Sequence, residues 1–292
     1  MMNRGAIMLQ YPLAHNEQCH LMYRDYFNLK EHPFNVTADS GFFFSSHSHK
    51  EAFSHLTFGI AQRKGIMTIT GEVGTGKTTL CRTLMNRLDS NIKTALILNP
   101  KFSETELLQM IIHDLGITGK FRNKFALISA LNEFLLSESS RGNNIVLIID
   151  EAQNLKTGQL ESIRLLSNLE TEKEKLLQIV LVGQPELEAK LRLPQLRQLN
   201  QRVTVRYHIR PLSAAELSEY ILHRLKLASK AAEKTQIQFT EPALQAIYHH
   251  SQGTPRVVNI LCDRALLASF VNESYIIQDS LIHDCAKELF LQ

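Results

Sequence analysis

The chain contains few cysteines, and their spacing forms no recognisable site. The four residues, Cys19, Cys81, Cys262 and Cys285, are scattered, with no Cys-x-x-Cys pair. The 12 histidines include no His-Glu-x-x-His motif, and the pairs His47/His49 and His249/His250 lie in polar sequence. These patterns argue against a disulfide framework and a zinc site, and they favour a reduced, cytoplasmic compartment.

Long apolar runs and a strong net charge are also missing. No run approaches the ~18 apolar residues that a membrane helix needs, and the first residues do not resemble a secretory leader. A formal net charge of +3 is too small to indicate nucleic acid or an acidic membrane by itself. With 292 residues, 44% hydrophobic and 21% charged, the chain is expected to form one large domain or two modest ones.

What the sequence does contain is an alternation of short apolar runs and amphipathic stretches after Gly65. This alternation predicts parallel strands joined by crossover helices. We place strands at 66–70, 94–98, 145–149, 178–182 and 203–208. Beyond Arg210 the pattern becomes helical, with helices expected near 214–231, 241–251, 255–271 and 278–291. The sequence therefore predicts an α/β core followed by a helical region, with a boundary near Pro211.

The strongest chemical signal lies between the first strand and a helix. It is a full match to G-x-x-x-x-G-K-[ST] and reads Gly71-Glu72-Val73-Gly74-Thr75-Gly76-Lys77-Thr78, followed by Thr79. Glycines let backbone N–H groups close around phosphate oxygens, and the helix N-terminus adds its positive end. Lys77 would reach the β- and γ-phosphates of ATP, and the Thr78 hydroxyl would coordinate Mg²⁺. A plain glycine-rich turn is the alternative, but the flanking strand and helix disfavour it.

Polar residues follow two of the other predicted strands. Asp150 and Glu151 come directly after the apolar run 145–149, at the strand end where ligands bind in an open α/β sheet. Asp150 is interpreted as the Mg²⁺-side acid and Glu151 as the base that orients or deprotonates water. A helix N-cap acid pair is the alternative. Gln184, after the strand 178–182, is a weaker candidate sensor of the γ-phosphate.

Two arginines complete the candidate site. In Gly253-Thr254-Pro255-Arg256, the cation of Arg256 falls in the first turn of a helix, where the dipole disfavours it unless an anion is near. The γ-phosphate is the proposed anion, and a surface salt bridge is the alternative.

Arg202 is a candidate arginine finger acting on a neighbouring subunit. It lies in a segment with no acidic residue and six basic ones: Lys190, Arg192, Arg197, Arg202, Arg206 and Arg210. A solvated basic face and a nucleic-acid contact remain alternatives for that segment.

These motifs together resemble the AAA+ superfamily. The stretches 23–34, 42–44 and 49–52, with 150–153, 181–187 and the two glycine motifs, narrow the match to the ExeA/GspA-type ATPases of general secretion. The resemblance runs from about residue 22 to the end. It implies an α/β P-loop NTPase fold with a parallel five-stranded sheet of order 5-1-4-3-2, a C-terminal all-α lid, and Mg²⁺ and ATP as ligands.

The resemblance also implies a domain organisation and partners. Residues 1–22 would be a disordered extension, 23–211 a linker and the nucleotide-binding core, and 212–292 the lid. The chain would form a homo-oligomer with an arginine acting in trans. Through a membrane-anchored partner, it would support assembly of a type II secretion system or a type IV pilus, as in the short members associated with mannose-sensitive haemagglutinin (MSHA) pilus biogenesis.

Two other functions stay open at this point. A DNA-associated AAA+ regulator of transposition or replication would share this core, and the basic segment 190–210 favours it. The lid disfavours it, because residues 212–292 hold seven Lys and Arg but nine Asp and Glu. A nucleotide-gated scaffold that binds ATP and hardly hydrolyses it is the third interpretation, and measured turnover distinguishes it from an ATPase.

Overall fold

The structure is a computed structural model that describes residues 23–172, 174–230 and 236–290. Its internal contacts divide the chain into two units. The larger unit contains Thr37–Ser213 together with Thr254–Arg256. The smaller unit contains 23–36, Ala214–Gly253 and the residues from Val257 onward. The predicted disordered extension, 1–22, lies outside the described residues.

A five-stranded parallel sheet forms the centre of the larger unit. Its strands are β1 (Ile66–Gly71), β2 (Ile92–Ile97), β3 (Asn144–Ile149), β4 (Gln178–Gly183) and β5 (Val203–Ile209). They pair in the order β2-β3-β4-β1-β5, which is the predicted order 5-1-4-3-2 read from the other edge. Every residue of β1, β3 and β4 is buried, as expected for central parallel strands covered on both faces. The predicted fold class is confirmed.

Helices cover both faces of this sheet. Alternate residues of β3 enter two separate apolar clusters: Ile145, Leu147 and Ile149 join one, and Val146 and Ile148 join the other. Ser103 and Glu106 form the predicted capping box. The helices of this unit are His47–Ala61, Lys77–Arg87, Glu104–Asp114, Lys124–Ser140, Thr157–Leu166, Pro185–Leu191 and Arg197–Arg202.

The smaller unit is built mainly from four helices. They are Ala214–Ala228, Glu241–Ser251, Pro255–Val271, whose first two residues belong to the larger unit, and Asp279–Phe290. We expected helices alone, but Gln238–Phe239 and Ile276–Ile277 form a short parallel pair. Two residues are too few to show an alternating pattern in sequence. No helix among the described residues is both long enough and apolar enough to cross a bilayer.

Residues 23–36, which the sequence analysis grouped with the core as a linker, pack within the smaller unit. The buried guanidinium of Arg224 donates to the carbonyl oxygens of Pro33, at 2.5 Å, and Asn35, at 3.2 Å. The Tyr23 hydroxyl donates to the Asp263 carboxylate at 3.1 Å. A buried cation needs several acceptors, and here the segment 23–36 supplies two of them. Such long-range pairing leaves no local pattern in the sequence.

Candidate functional site

The glycine-rich loop connects β1 to the helix Lys77–Arg87. Gly74 and Gly76 have φ angles of +82° and +88°, a left-handed region that side chains rarely adopt. A Cβ at Gly74 would lie 2.5 Å from the Arg256 Cβ, and one at Gly76 would lie 3.1 Å from Nε2 of His49. The loop therefore needs glycine for conformation and for space. It ends at a helix N-terminus, which is a favourable position for an anion.

The Lys77 side chain is buried inside this loop. Its Nζ donates to the carbonyl oxygens of Gly71, at 2.8 Å, and Glu72, at 2.9 Å. Burial lowers the pKa of the Lys77 ammonium, and the carboxylates of Glu151 and Asp150 act in the opposite direction. The lysine thus places a positive charge within the loop, with two acidic side chains close enough to favour its charged form.

Thr78 and Asp150 meet beside the loop. The Thr78 Oγ1 donates to the Asp150 Oδ2 at 2.5 Å, although 72 residues separate them. Asp150 is buried at the end of β3, and burial raises its pKa while the bond from Thr78 opposes that shift. A hydroxyl and a carboxylate oxygen are ligands that suit Mg²⁺. The residues present therefore fit the predicted metal position.

Glu151 and Gln184 are also brought together. Glu151 follows Asp150 with a φ angle of +54°, and its Oε2 accepts hydrogen bonds from two side-chain amides. One comes from Nε2 of Gln153 at 2.5 Å and the other from Nε2 of Gln184 at 3.3 Å. Gln184 begins the turn after β4, which is the strand beside β3. The two residues proposed as base and sensor are thus in direct contact.

His49 is a further residue of this site, and its sequence context did not predict it. Its Nε2 lies 2.9 Å from the carbonyl oxygen of Thr75, and its Nδ1 lies 2.7 Å from the hydroxyl of Ser46. Because a carbonyl can only accept, Nε2 carries a proton. His49 is buried in the first turn of the helix His47–Ala61, which Ser46 caps. The three-residue spacing of a capping serine and a histidine was the available signal, but it does not reveal a contact 26 residues away.

Arg256 lies against the loop through its backbone. The helix begins at Pro255 as predicted, and the Arg256 N–H donates to the Gly74 carbonyl oxygen at 3.2 Å. The side chain of Arg256 is exposed. The residue is therefore next to the phosphate-binding loop, which is the position that its proposed role requires.

Comparison with known proteins agrees with the resemblance to AAA proteins. The AAA domain family matches residues 60–191, from just before β1 to the end of the helix Pro185–Leu191. The chain is also 42% identical over 255 residues to "General secretion pathway protein A" of Aeromonas hydrophila. The chain therefore contains an AAA domain and is similar to general secretion pathway protein A. The match covers 87% of this chain but only 46% of that protein, so the chain spans about half the length of this relative.

Solved structures support the AAA fold. Cdc6p of Pyrobaculum aerophilum superposes with a TM-score of 0.64 at 19% identity, over 86% of this chain and 70% of that one. Drosophila ORC, solved bound to DNA, also gives 0.64, at 17% identity, over 99% of this chain and 70% of that one. At these identities the likeness concerns the fold alone.

Arg202 lies far from the glycine-rich loop of its own chain. It ends the helix Arg197–Arg202 at the amino end of β5, whereas the loop follows the carboxyl end of β1. These strands are parallel neighbours, paired from Ile66 with Val203 to Gly71 with Ile209. Five residues at ~3.3 Å each separate the two ends by about 17 Å. The Arg202 guanidinium donates to Asn168, and to the Ser167 hydroxyl at 3.4 Å.

The other basic residues of the segment 190–210 have different environments. Lys190 donates to two backbone carbonyls, and Arg206 forms an ion pair with Glu188 at 3.2 Å. Three exposed arginines make no side-chain hydrogen bond or ion pair with the described part of the chain: Arg192, Arg197 and Arg210. The segment is therefore not a uniform basic surface, because three of its six cations bond to other groups of the larger unit.

Proposed function

We propose that this chain binds Mg-ATP and hydrolyses it to ADP and phosphate. The observation that carries the proposal is the hydrogen bond between Thr78 and Asp150, 2.5 Å long, which joins the phosphate loop to the acidic strand end. This contact places the two Mg²⁺-ligand candidates together and brings the base candidate Glu151 to the same sheet edge. Bound Mg²⁺ would neutralise phosphate charge during the reaction.

Each residue of the site has a proposed task. The N–H groups from Gly71 to Thr79 surround the phosphates. The Lys77 ammonium exchanges its hydrogen bonds to the loop carbonyls for hydrogen bonds to the β- and γ-phosphate oxygens. Glu151 accepts a proton from the attacking water, and Gln184 holds that water or the γ-phosphate. Arg256 adds a positive charge from the start of its helix. The loop thus binds nucleotide, and the acidic edge activates water.

The proposal includes a homo-oligomer in which Arg202 completes a neighbour's site. Its position at the opposite end of the sheet from its own loop supports action in trans. An arginine finger stabilises charge on the γ-phosphate oxygens, and its loss can cost ~10³-fold in rate. Arg202 already has partners in its own core, so Arg197, which is exposed and unpaired among the described residues, is the next candidate.

The cellular role is proposed from the similarity to general secretion pathway protein A and from the family resemblance of the sequence motifs. We infer that the ATPase supports assembly of a type II secretion or type IV pilus machine, including the MSHA type, through a membrane-anchored partner at the inner membrane. The DNA-regulator alternative is disfavoured, since three of the six basic side chains in 190–210 bond to other groups of the larger unit. A salt-titrated DNA-binding assay separates the two, because phosphate contacts weaken steeply with salt.

Mixing two inactive variants tests the ATPase and its trans-acting arginine together. Arg202→Ala keeps an intact loop, and Lys77→Ala keeps an intact arginine. Each variant alone should hydrolyse ATP at least about a hundredfold more slowly than the wild type. A mixture should recover part of the activity, because the intact loop of one variant can meet the intact arginine of the other. Arg192→Ala is the matched control and should retain full activity. If Arg202→Ala and Arg197→Ala both stay fully active, and the rate per subunit does not depend on protein concentration, the trans-acting oligomer is wrong.

A further inference from the structure

Gln153 connects the two catalytic candidates at the acidic edge. It lies in a single helical turn, Ala152–Asn154, directly after Glu151. Its Nε2 is 2.5 Å from Oε2 of Glu151, and its Oε1 is 3.1 Å from the backbone nitrogen of Gln184. An ionised carboxylate only accepts hydrogen bonds and a backbone N–H only donates, so these neighbours determine which end of the amide faces each of them. The side chain bridges the ends of β3 and β4.

The surroundings hold Gln153 in this position. The Lys190 Nζ donates to the carbonyl oxygens of Gln153, at 2.5 Å, and Leu155, at 2.9 Å, which fixes the backbone of the turn. A Cβ added at Gly183 would come within 2.7 Å of the Gln153 Oε1. The glycine that ends β4 therefore leaves the space that the amide fills. Backbone and side chain are both constrained by residues at least 30 positions away in sequence.

We propose that Gln153 is a positioning residue that holds the Glu151 carboxylate in place for water activation and links it to the γ-phosphate sensor Gln184. This inference rests on the proposed ATP hydrolysis. Glu151 has a left-handed backbone, and among the described residues its carboxylate receives only one other side-chain hydrogen bond, the longer one from Gln184 at 3.3 Å. Without Gln153, the carboxylate would rotate among several conformers. Catalysis is sensitive to such displacement, because a misplacement of ~1 Å can cost ~10²-fold.

Gln153→Ala separates this role from nucleotide binding. We expect kcat to fall about tenfold or more, because the base is oriented in only a fraction of the molecules. The dissociation constant of a fluorescent non-hydrolysable ATP analogue should stay within about twofold, since Gln153 contacts Glu151 and Gln184 rather than the loop. The melting temperature is measured in parallel, and it should change little.

Gln153→Glu adds a signature in the pH profile. The substitution keeps the shape but places a carboxylate where an N–H group faced Glu151, so the two charges repel near neutral pH. At lower pH, one carboxyl of such a pair takes up a proton and can donate a hydrogen bond to the other. The activity of Gln153→Glu relative to wild type should therefore rise as the pH falls from 8 to 6. A role limited to packing predicts no such trend.

Asn154→Ala is the matched control from the same turn. The side-chain Nδ2 of Asn154 lies 3.4 Å from Oδ1 of Asn99, and within the described part of the chain it makes no hydrogen bond to the Glu151 carboxylate. This variant should keep its kcat. Equal kcat values for Gln153→Ala and Asn154→Ala in an active wild-type background would overturn the positioning role alone. A wild type that binds the analogue but does not hydrolyse ATP would overturn the proposed function and the positioning role with it.

Discussion

The two edges of the candidate site are built in different ways. The phosphate loop after β1 depends on backbone groups: two glycines with positive φ, the start of a helix, and carbonyls that hold Lys77. The acidic edge after β3 and β4 depends on side chains that meet from separate segments, as when Gln184 contacts Glu151. The loop is therefore formed mainly by local backbone geometry, and the acidic edge is formed mainly by tertiary side-chain contacts. We expect the first to control nucleotide affinity and the second the rate of hydrolysis.

The largest effect on the loop is expected from Lys77→Ala. The ammonium would make two or more charge-assisted bonds to phosphate, each contributing about 1.5–3 kcal/mol. Its loss should weaken binding of a fluorescent ATP analogue about 10²-fold to 10⁴-fold. Lys120→Ala, which removes an exposed lysine, is the control and should bind as the wild type does. An unchanged affinity in Lys77→Ala would show that the loop does not bind the nucleotide.

A smaller effect on the same edge is expected from His49→Ala. The change removes the N–H that holds the Thr75 carbonyl, so the loop should lose part of its preorganisation. One such hydrogen bond contributes about 1 kcal/mol, which predicts a roughly fivefold rise in the dissociation constant with kcat at saturating ATP nearly unchanged. His55→Ala, an exposed histidine of the same helix, should change neither value. A fall in kcat with normal affinity would contradict the division between the two edges.

The difference between the edges also explains what the sequence could predict. The five strands, the loop and its flanking helix were all accessible, because each leaves a local pattern of apolar runs, glycines or caps. The strand order was implied only by the family resemblance. Asp150 and Glu151 could be found because they follow an apolar strand. His49 was missed because its contact with the Thr75 carbonyl spans 26 residues, and Gln153 was missed because its contact with the Gln184 N–H spans 31. No spacing rule covers such separations. The same reason applies to residues 23–36, whose carbonyls pair with Arg224 across about 190 positions.

The most direct measurement of the central claim is ATP binding and turnover by Glu151→Gln. This change keeps the size of the side chain but removes the base, so it leaves the loop intact and acts only on the acidic edge. We predict normal affinity for ATP, a kcat lower by about 10²-fold to 10⁴-fold, and bound nucleotide that is recovered as ATP. Rapid formation of ADP by Glu151→Gln, at the wild-type rate, would contradict the account, because the base would then lie elsewhere.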